Sequence, residues 1–160
     1  MLQVVQYGLV AQEISTKNGP IMTLLEIVKE LKDIAIKQPN INYVGDGDIY
    51  SLNTLPNIDY GVFFITQSNH TRNENTTTYT LTLFYVDRVT ADGSNKLAIQ
   101  SNGITVLANI INIFQLKNDV EIDENIDYTT FLQRFADDCS GVFCTVDITT
   151  DNGIGLCGYE

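Results

Sequence analysis

Two stretches of alternating residues constrain this chain more than anything else in it. From Tyr79 onward, Tyr79, Leu81 and Leu83 fall on one side and Thr80 and Thr82 on the other. Later, Val142, Cys144, Val146 and Ile148 alternate in the same way with Phe143, Thr145, Asp147 and Thr149. A period of two sends successive side chains to opposite faces of a strand, so each stretch has one apolar and one polar face. A sheet built from them buries one side and needs a cover for it.

Two segments have the helical spacing to supply that cover. Thr23-Leu24-Leu25-Glu26 is a capping box, in which the Thr hydroxyl takes the N3 amide and the Glu reaches back. Leu24, Ile27, Val28, Leu31, Ile34 and Ala35 then recur at helical intervals, and Pro39 stops the run, which predicts a helix over 23–38. Turn residues Asp92-Gly93-Ser94-Asn95 open a second helix over 95–116. Its expected inner stripe is Leu97, Ile104, Leu107, Ile111 and Phe114, with Ala108 and Ile110 beside it.

The remaining segments fit the same scheme. Tyr60–Thr66 is a short apolar run and predicts a buried strand that forms a hairpin with Tyr79–Arg88. The polar stretch Gln67–Thr78 between them reads as a long loop-like tip. Ile41–Tyr50, broken by Gly45-Asp46-Gly47-Asp48, allows a short strand, and Leu52–Asp59 reads as loop. Residues 118–127 read as acidic and irregular, and Tyr128–Phe135 as a further strand. The expected fold class is α+β, a mostly antiparallel sheet covered by two main helices. Residues 21–150 make one domain, with an N-terminal arm at 1–20 and a C-terminal tail at 151–160.

Charge narrows the function classes. The formal net charge is −11, which opposes a broad phosphate-binding face or docking on anionic lipid. Apolar residues at 44% and charged residues at 18% belong to a globular chain rather than a disordered one. No apolar run is expected to reach the ~20 residues of a membrane span, and Met1–Gly8 lacks the pattern of a signal peptide. The sequons at Asn69 and Asn75 are then chance matches, and Cys139, Cys144 and Cys157 are expected as reduced thiols in a cytoplasmic setting.

Residue types that carry chemistry do not fall into catalytic patterns. His70, the one histidine, sits in the polar hairpin tip with no nucleophile suggested nearby. Cys139 and Cys144 with distant Cys157 lack a fourth zinc ligand. Asp46-Gly47-Asp48 and Asp92–Asn95 lack the ligand spacing of a calcium loop and read as turns. Asp137, Asp138, Glu121, Asp123, Glu124 and Asp127 lie in polar linkers and read as a solvated face. The glycines make no phosphate-binding frame. No catalytic, cofactor-binding or metal-binding residue is assigned.

A set of segments does carry a resemblance: Asn40–Val44, Asp48–Asn53, Tyr60–Gln67, Phe84–Val89, Ser94-Asn95, Ile99–Ser101, Val106–Ile111, Thr130-Phe131 and Gln133–Asp137. Over roughly residues 22–150 the chain resembles a structural protein of crAss-like and related Bacteroidales tailed phages. Its element order also resembles tail-terminator and neck proteins, small α+β subunits that close into rings. The resemblance implies a virion protein, assembled in the host bacterial cytoplasm, that forms a ring at the head–tail junction or tail and helps form the DNA channel. Its expected partners are further copies of itself in a six- or twelve-fold ring and neighbouring portal, ring or tail proteins. DNA would pass through without specific binding, and no membrane is implied. Ring contacts are expected at the arm, the hairpin tip and the tail, which nominates Tyr7, Leu9, Gln67, His70, Arg72, Asn73, Glu74 and Tyr159. Two other readings stand beside it: a non-catalytic protein-binding adaptor module, and an enzyme using the acidic cluster.

Overall fold

The computed structural model of the chain describes residues 21–55, 57–134 and 137–152. The first helix, α1 (Leu24–Ala35), opens with the full capping box. The Thr23 amide donates to the Glu26 carboxylate at 2.7 Å, and the Glu26 amide donates to the Thr23 hydroxyl at 3.3 Å. These bonds from Thr23 hold the Glu26 carboxyl below its ordinary range. Ile27, Val28, Leu31, Ile34 and Ala35 form the buried stripe. The helix stops slightly short of the expected end, and turns from Lys37 to Ile41 lead past Pro39.

Among the described residues six strands follow in chain order: β1 (Tyr43–Asp46), β2 (Val62–Arg72), β3 (Thr76–Arg88), β4 (Glu121–Ile122), β5 (Tyr128–Arg134) and β6 (Asp138–Asp151). The second helix, α2 (Lys96–Asn118), lies between β3 and β4, and a 3₁₀ turn (Ile49–Thr54) follows β1. The sheet runs β1-β2-β3-β6, and both β4 and β5 pair with β6. β5 takes the Asp138–Cys144 half of β6, and β4 takes Ile148–Thr149. β1 and β2 are parallel and every other pair is antiparallel. This is the mostly antiparallel α+β fold that the alternating segments require.

The helices cover one face. Phe63, Ile65, Leu81, Leu83, Tyr85, Val142, Cys144, Val146 and Ile148 join the stripes of α1 and α2 in one core. On the other face, near β1, a smaller cluster of Leu52, Val62, Phe64, Val86 and Cys139 lies under the 3₁₀ turn. Leu52 and Ile122 are thus buried in segments whose polar composition suggested loop.

α2 buries the C-terminal half of the expected stripe, Leu107, Ile110, Ile111 and Phe114, but not its N-terminal half. Leu97 and Ile104 are 77% and 38% exposed, while Ile99, Val106, Leu107, Ile110, Ile111 and Phe114 are buried. The helix is apolar nearly all round, so periodicity does not single out a face; Gly103 does. A Cβ there would lie 2.8 Å from the Tyr85 ring and 3.0 Å from Val142, so the missing side chain lets the helix seat on the sheet. The same composition makes α2 long and apolar enough to cross a membrane, contrary to expectation. In this fold it is a core helix.

Candidate interaction surface

The largest departure from the sequence reading is the hairpin tip. Gln67–Thr78 is not a loop: β2 continues to Arg72, β3 begins at Thr76, and only Asn73-Glu74-Asn75 make the turn. Thr76, Thr77, Thr78, Thr80 and Thr82 are β-branched and suit an extended backbone. Their hydroxyls also make a cross-strand ladder, with Thr78 and Thr149 at 2.9 Å and Thr82 and Thr145 at 3.1 Å. Polarity marks this stretch as solvated without making it irregular.

β6 extends the ribbon to three strands. It pairs with β3 from Arg88↔Cys139 to Thr76↔Asp151. Asn152 then locks the turn. Its side-chain amide donates to the carbonyls of Asn73 at 2.7 Å and Glu74 at 3.1 Å, its oxygen accepts from the Thr77 hydroxyl, and its backbone amide donates to Asn75 at 2.9 Å. The reading of 151–160 as a loose tail fails for Asp151 and Asn152, which complete the sheet and clamp its tip. Nothing in their polar sequence marks them as a clamp; the partner register does.

Gln67, His70, Arg72, Asn73 and Glu74 therefore stand together on one projection, and every residue from Gln67 to Asn75 is exposed. His70 packs edge-on to Tyr79, with ring centroids 5.5 Å apart. Tyr7, Leu9 and Tyr159, with the rest of the arm and residues 153–160, lie outside the described residues. So do Phe135 and Cys157.

Among the described residues the ribbon carries an open strand edge. β1 covers β2 only from Val62 to Ile65, and the Gly47 amide ends that contact at the Ile65 carbonyl. From Thr66 to Arg72 no described strand lies on the side of β2 away from β3. A bulge between Gln67 and His70 puts one extra residue on β2, a device that blunts edges against indiscriminate pairing. At the other side of the sheet, β5 pairs only with β6 among the described strands.

Several ionisable groups are held in structural contacts. Asp137 accepts from Arg88 at 2.7 Å and from the Tyr60 hydroxyl at 3.0 Å, and the Arg88 guanidinium stands 5.1 Å over the Tyr60 ring. Arg88, then Tyr60, hold the Asp137 carboxyl below its ordinary range. Burial pushes the Tyr60 hydroxyl and the neighbouring Cys139 thiol up, so Cys139 is a poor thiolate at neutral pH. Cys144 is 1% exposed, and burial pushes it up to about 12. Asp92 closes the turn before α2, accepting from Thr90 and Ser94, and these bonds hold it at about 2. Glu121, Asp123 and Glu124 line an open cleft of about 650 Å³ with Asp147. Among the described residues no group of three or more His, Cys, Asp or Glu side chains is placed to hold a metal ion. A scan against protein-family models and a search of curated proteins found no match to this chain.

Proposed function

We propose that the chain is a non-catalytic assembly subunit, a ring-forming protein of the head–tail region or tail of a tailed phage. One observation carries the reading: a braced three-stranded ribbon, exposed from Gln67 to Asn75, leaves a strand edge of the same sheet open among the described residues. A projection of this kind is stiff enough to reach a neighbour without a large ordering cost on contact, since its tip is already fixed by Asn152. The resemblance to structural proteins of crAss-like phages supplies the biological setting. The negative charge suits a channel through which DNA slides, because retention on the wall requires neutralised phosphates.

The test is assembly. The purified protein is examined by native mass spectrometry and negative-stain imaging across protein concentration and salt. The reading expects closed rings, favoured at high salt, where screening relieves repulsion between chains of charge −11. A chain that stays monomeric throughout, and is missing from the neck and tail of phage particles carrying its gene, would overturn it.

A further inference from the structure

We infer that copies of this chain join edge to edge, the open edge of β2 in one copy (Thr66–Arg72) pairing antiparallel with the outer edge of β5 (Tyr128–Arg134) in the next. The inference rests on the ring reading and names its joint. Each segment is seven residues long. They occupy opposite sides of one sheet, so the contact is heterologous and repeats from copy to copy. β2, β3, β6 and β5 alternate in direction, so β5 runs opposite to β2. Rotation of one copy into the next keeps that relation and gives an antiparallel pair.

The offset between the two edges is a quantitative check. Arg72 is level with Thr77 and Thr150, whereas Tyr128 is level with Cys144, six residues back along β6. Joining the edges therefore shifts each copy along its strands by about 20 Å, at ~3.3 Å per residue. The repeat β2-β3-β6-β5 is four strands wide, about 19 Å at ~4.8 Å per strand. The ratio tilts the strands by roughly 45° from the ring axis, at the upper end of the range in which closed barrels form. The width is set by the strand order, and the shift follows from pairing the two seven-residue segments end to end, with Arg72 opposite Tyr128.

Charge agrees with this register. With Arg72 opposite Tyr128 of the next copy, the exposed guanidinium sits beside the segment leading into β5, which carries Asp123, Glu124 and Asp127. The β2 bulge divides the pairing into Thr66-Gln67 and His70–Arg72. The joint is thus weak singly and depends on closure of the whole set. The helices then face outward, and the face bearing Thr80, Thr82, Thr145 and Asp147 lines the inside.

Cross-linking tests the register. Residues directly opposite in an antiparallel pair bring their Cβ atoms within disulfide range. The variant Arg72→Cys/Tyr128→Cys should give a ladder of linked chains under oxidation, in a Cys139→Ala/Cys144→Val/Cys157→Ser background, because Tyr128 and Gln133 stand opposite Cys144 and Cys139 of their own chain, and with folding checked by thermal melt. Arg72→Cys/Gln133→Cys should not. Charge reversal gives a second readout: Arg72→Asp or Asp127→Arg alone lowers assembly several-fold, and the two together restore it. Rings by imaging with no 72–128 ladder overturn this joint and leave the ring reading standing. A ladder on open filaments upholds the joint and overturns closure. Dimers from Thr130→Cys alone mean that two β5 edges pair about a two-fold axis, which also overturns the proposal. Absence of any assembly overturns both.

Discussion

Gly141→Ala should be among the most damaging single substitutions in this protein, and the cause is local. Gly141 lies in β6 opposite Val86 of β3, with the Phe131 side chain from β5 close above it. A Cβ at this position would stand 2.2 Å from the Tyr85 carbonyl oxygen and 2.6 Å from Cζ of Phe131. The ordinary carbon–oxygen contact between strands is about 3.3 Å, so β3 and β6 must part there by about 1 Å. A ladder bond stretched that far is no longer a hydrogen bond. Loss of roughly two such bonds costs about 1–3 kcal/mol. Crowding of the Phe131 ring adds about 1–3 kcal/mol. The reduced freedom of the unfolded chain returns about 0.4–1 kcal/mol. The net expectation is about 3 kcal/mol, read from urea unfolding midpoints at constant slope. In a Phe131→Ala background the same change should cost less, because the ring is gone, but should still destabilise, because the carbonyl remains. A loss below about 0.5 kcal/mol would refute the placement of β6 between β3 and β5.

Leu31→Ala in α1 and Leu107→Ala in α2 remove side chains that are 1% and 0% exposed, and each should cost about 2–5 kcal/mol in a denaturant melt. Asn152→Ala removes the turn clamp, so amide exchange at Asn73–Thr77 should quicken while the global melting temperature moves little. Stability should fall in alkali. Cys144 and Tyr85 rise from 9 and 10 to about 12 on burial, so what they contribute is complete below pH 9 and is lost as pH climbs toward 12. Cys144→Val should flatten that slope. In acid the sign reverses. Asp92, held at about 2 by Thr90 and Ser94, contributes above its unfolded value of 3.8 and loses this as pH falls toward 2. Thr90→Val should shift the acid limb to higher pH.

Much of the fold was legible because its signals are local. The capping box at Thr23, the Asp92–Asn95 turn and the alternation of Val142–Ile148 each specify a conformation from neighbouring residues alone. What escaped was set by partners far along the chain. The burial of Ile99 over Leu97 follows from Gly103 meeting Tyr85 and Val142 on two strands. The strand character of Ser68–Arg72 follows from Thr77 and Thr78 across the hairpin and from β6 beyond them. Asn152 becomes a clamp only because Asn73 and Glu74, 79 and 78 residues earlier, lie beside it. The exposure of Gln67, His70, Arg72, Asn73 and Glu74 was readable from their polarity. The rigidity of the platform carrying them was not.

The position of β6 also governs when the fold can form during synthesis. β3, β4 and β5 all pair with this strand, and it follows all of them in the chain. Until Asp138–Asp151 leave the ribosome, β4 and β5 have no template and β3 shows one bare side. The hairpin β2–β3 and the two helices are then held only by one another. A nascent chain of this design keeps the apolar faces of β2 and β3 waiting until β6 has been made, which at about 5–20 residues per second lasts several seconds. The emergence of β6, more than any early nucleus, is the event that commits it to the native state. A chain cut anywhere before Asp138 is a substrate for chaperones and proteases rather than a smaller version of the protein.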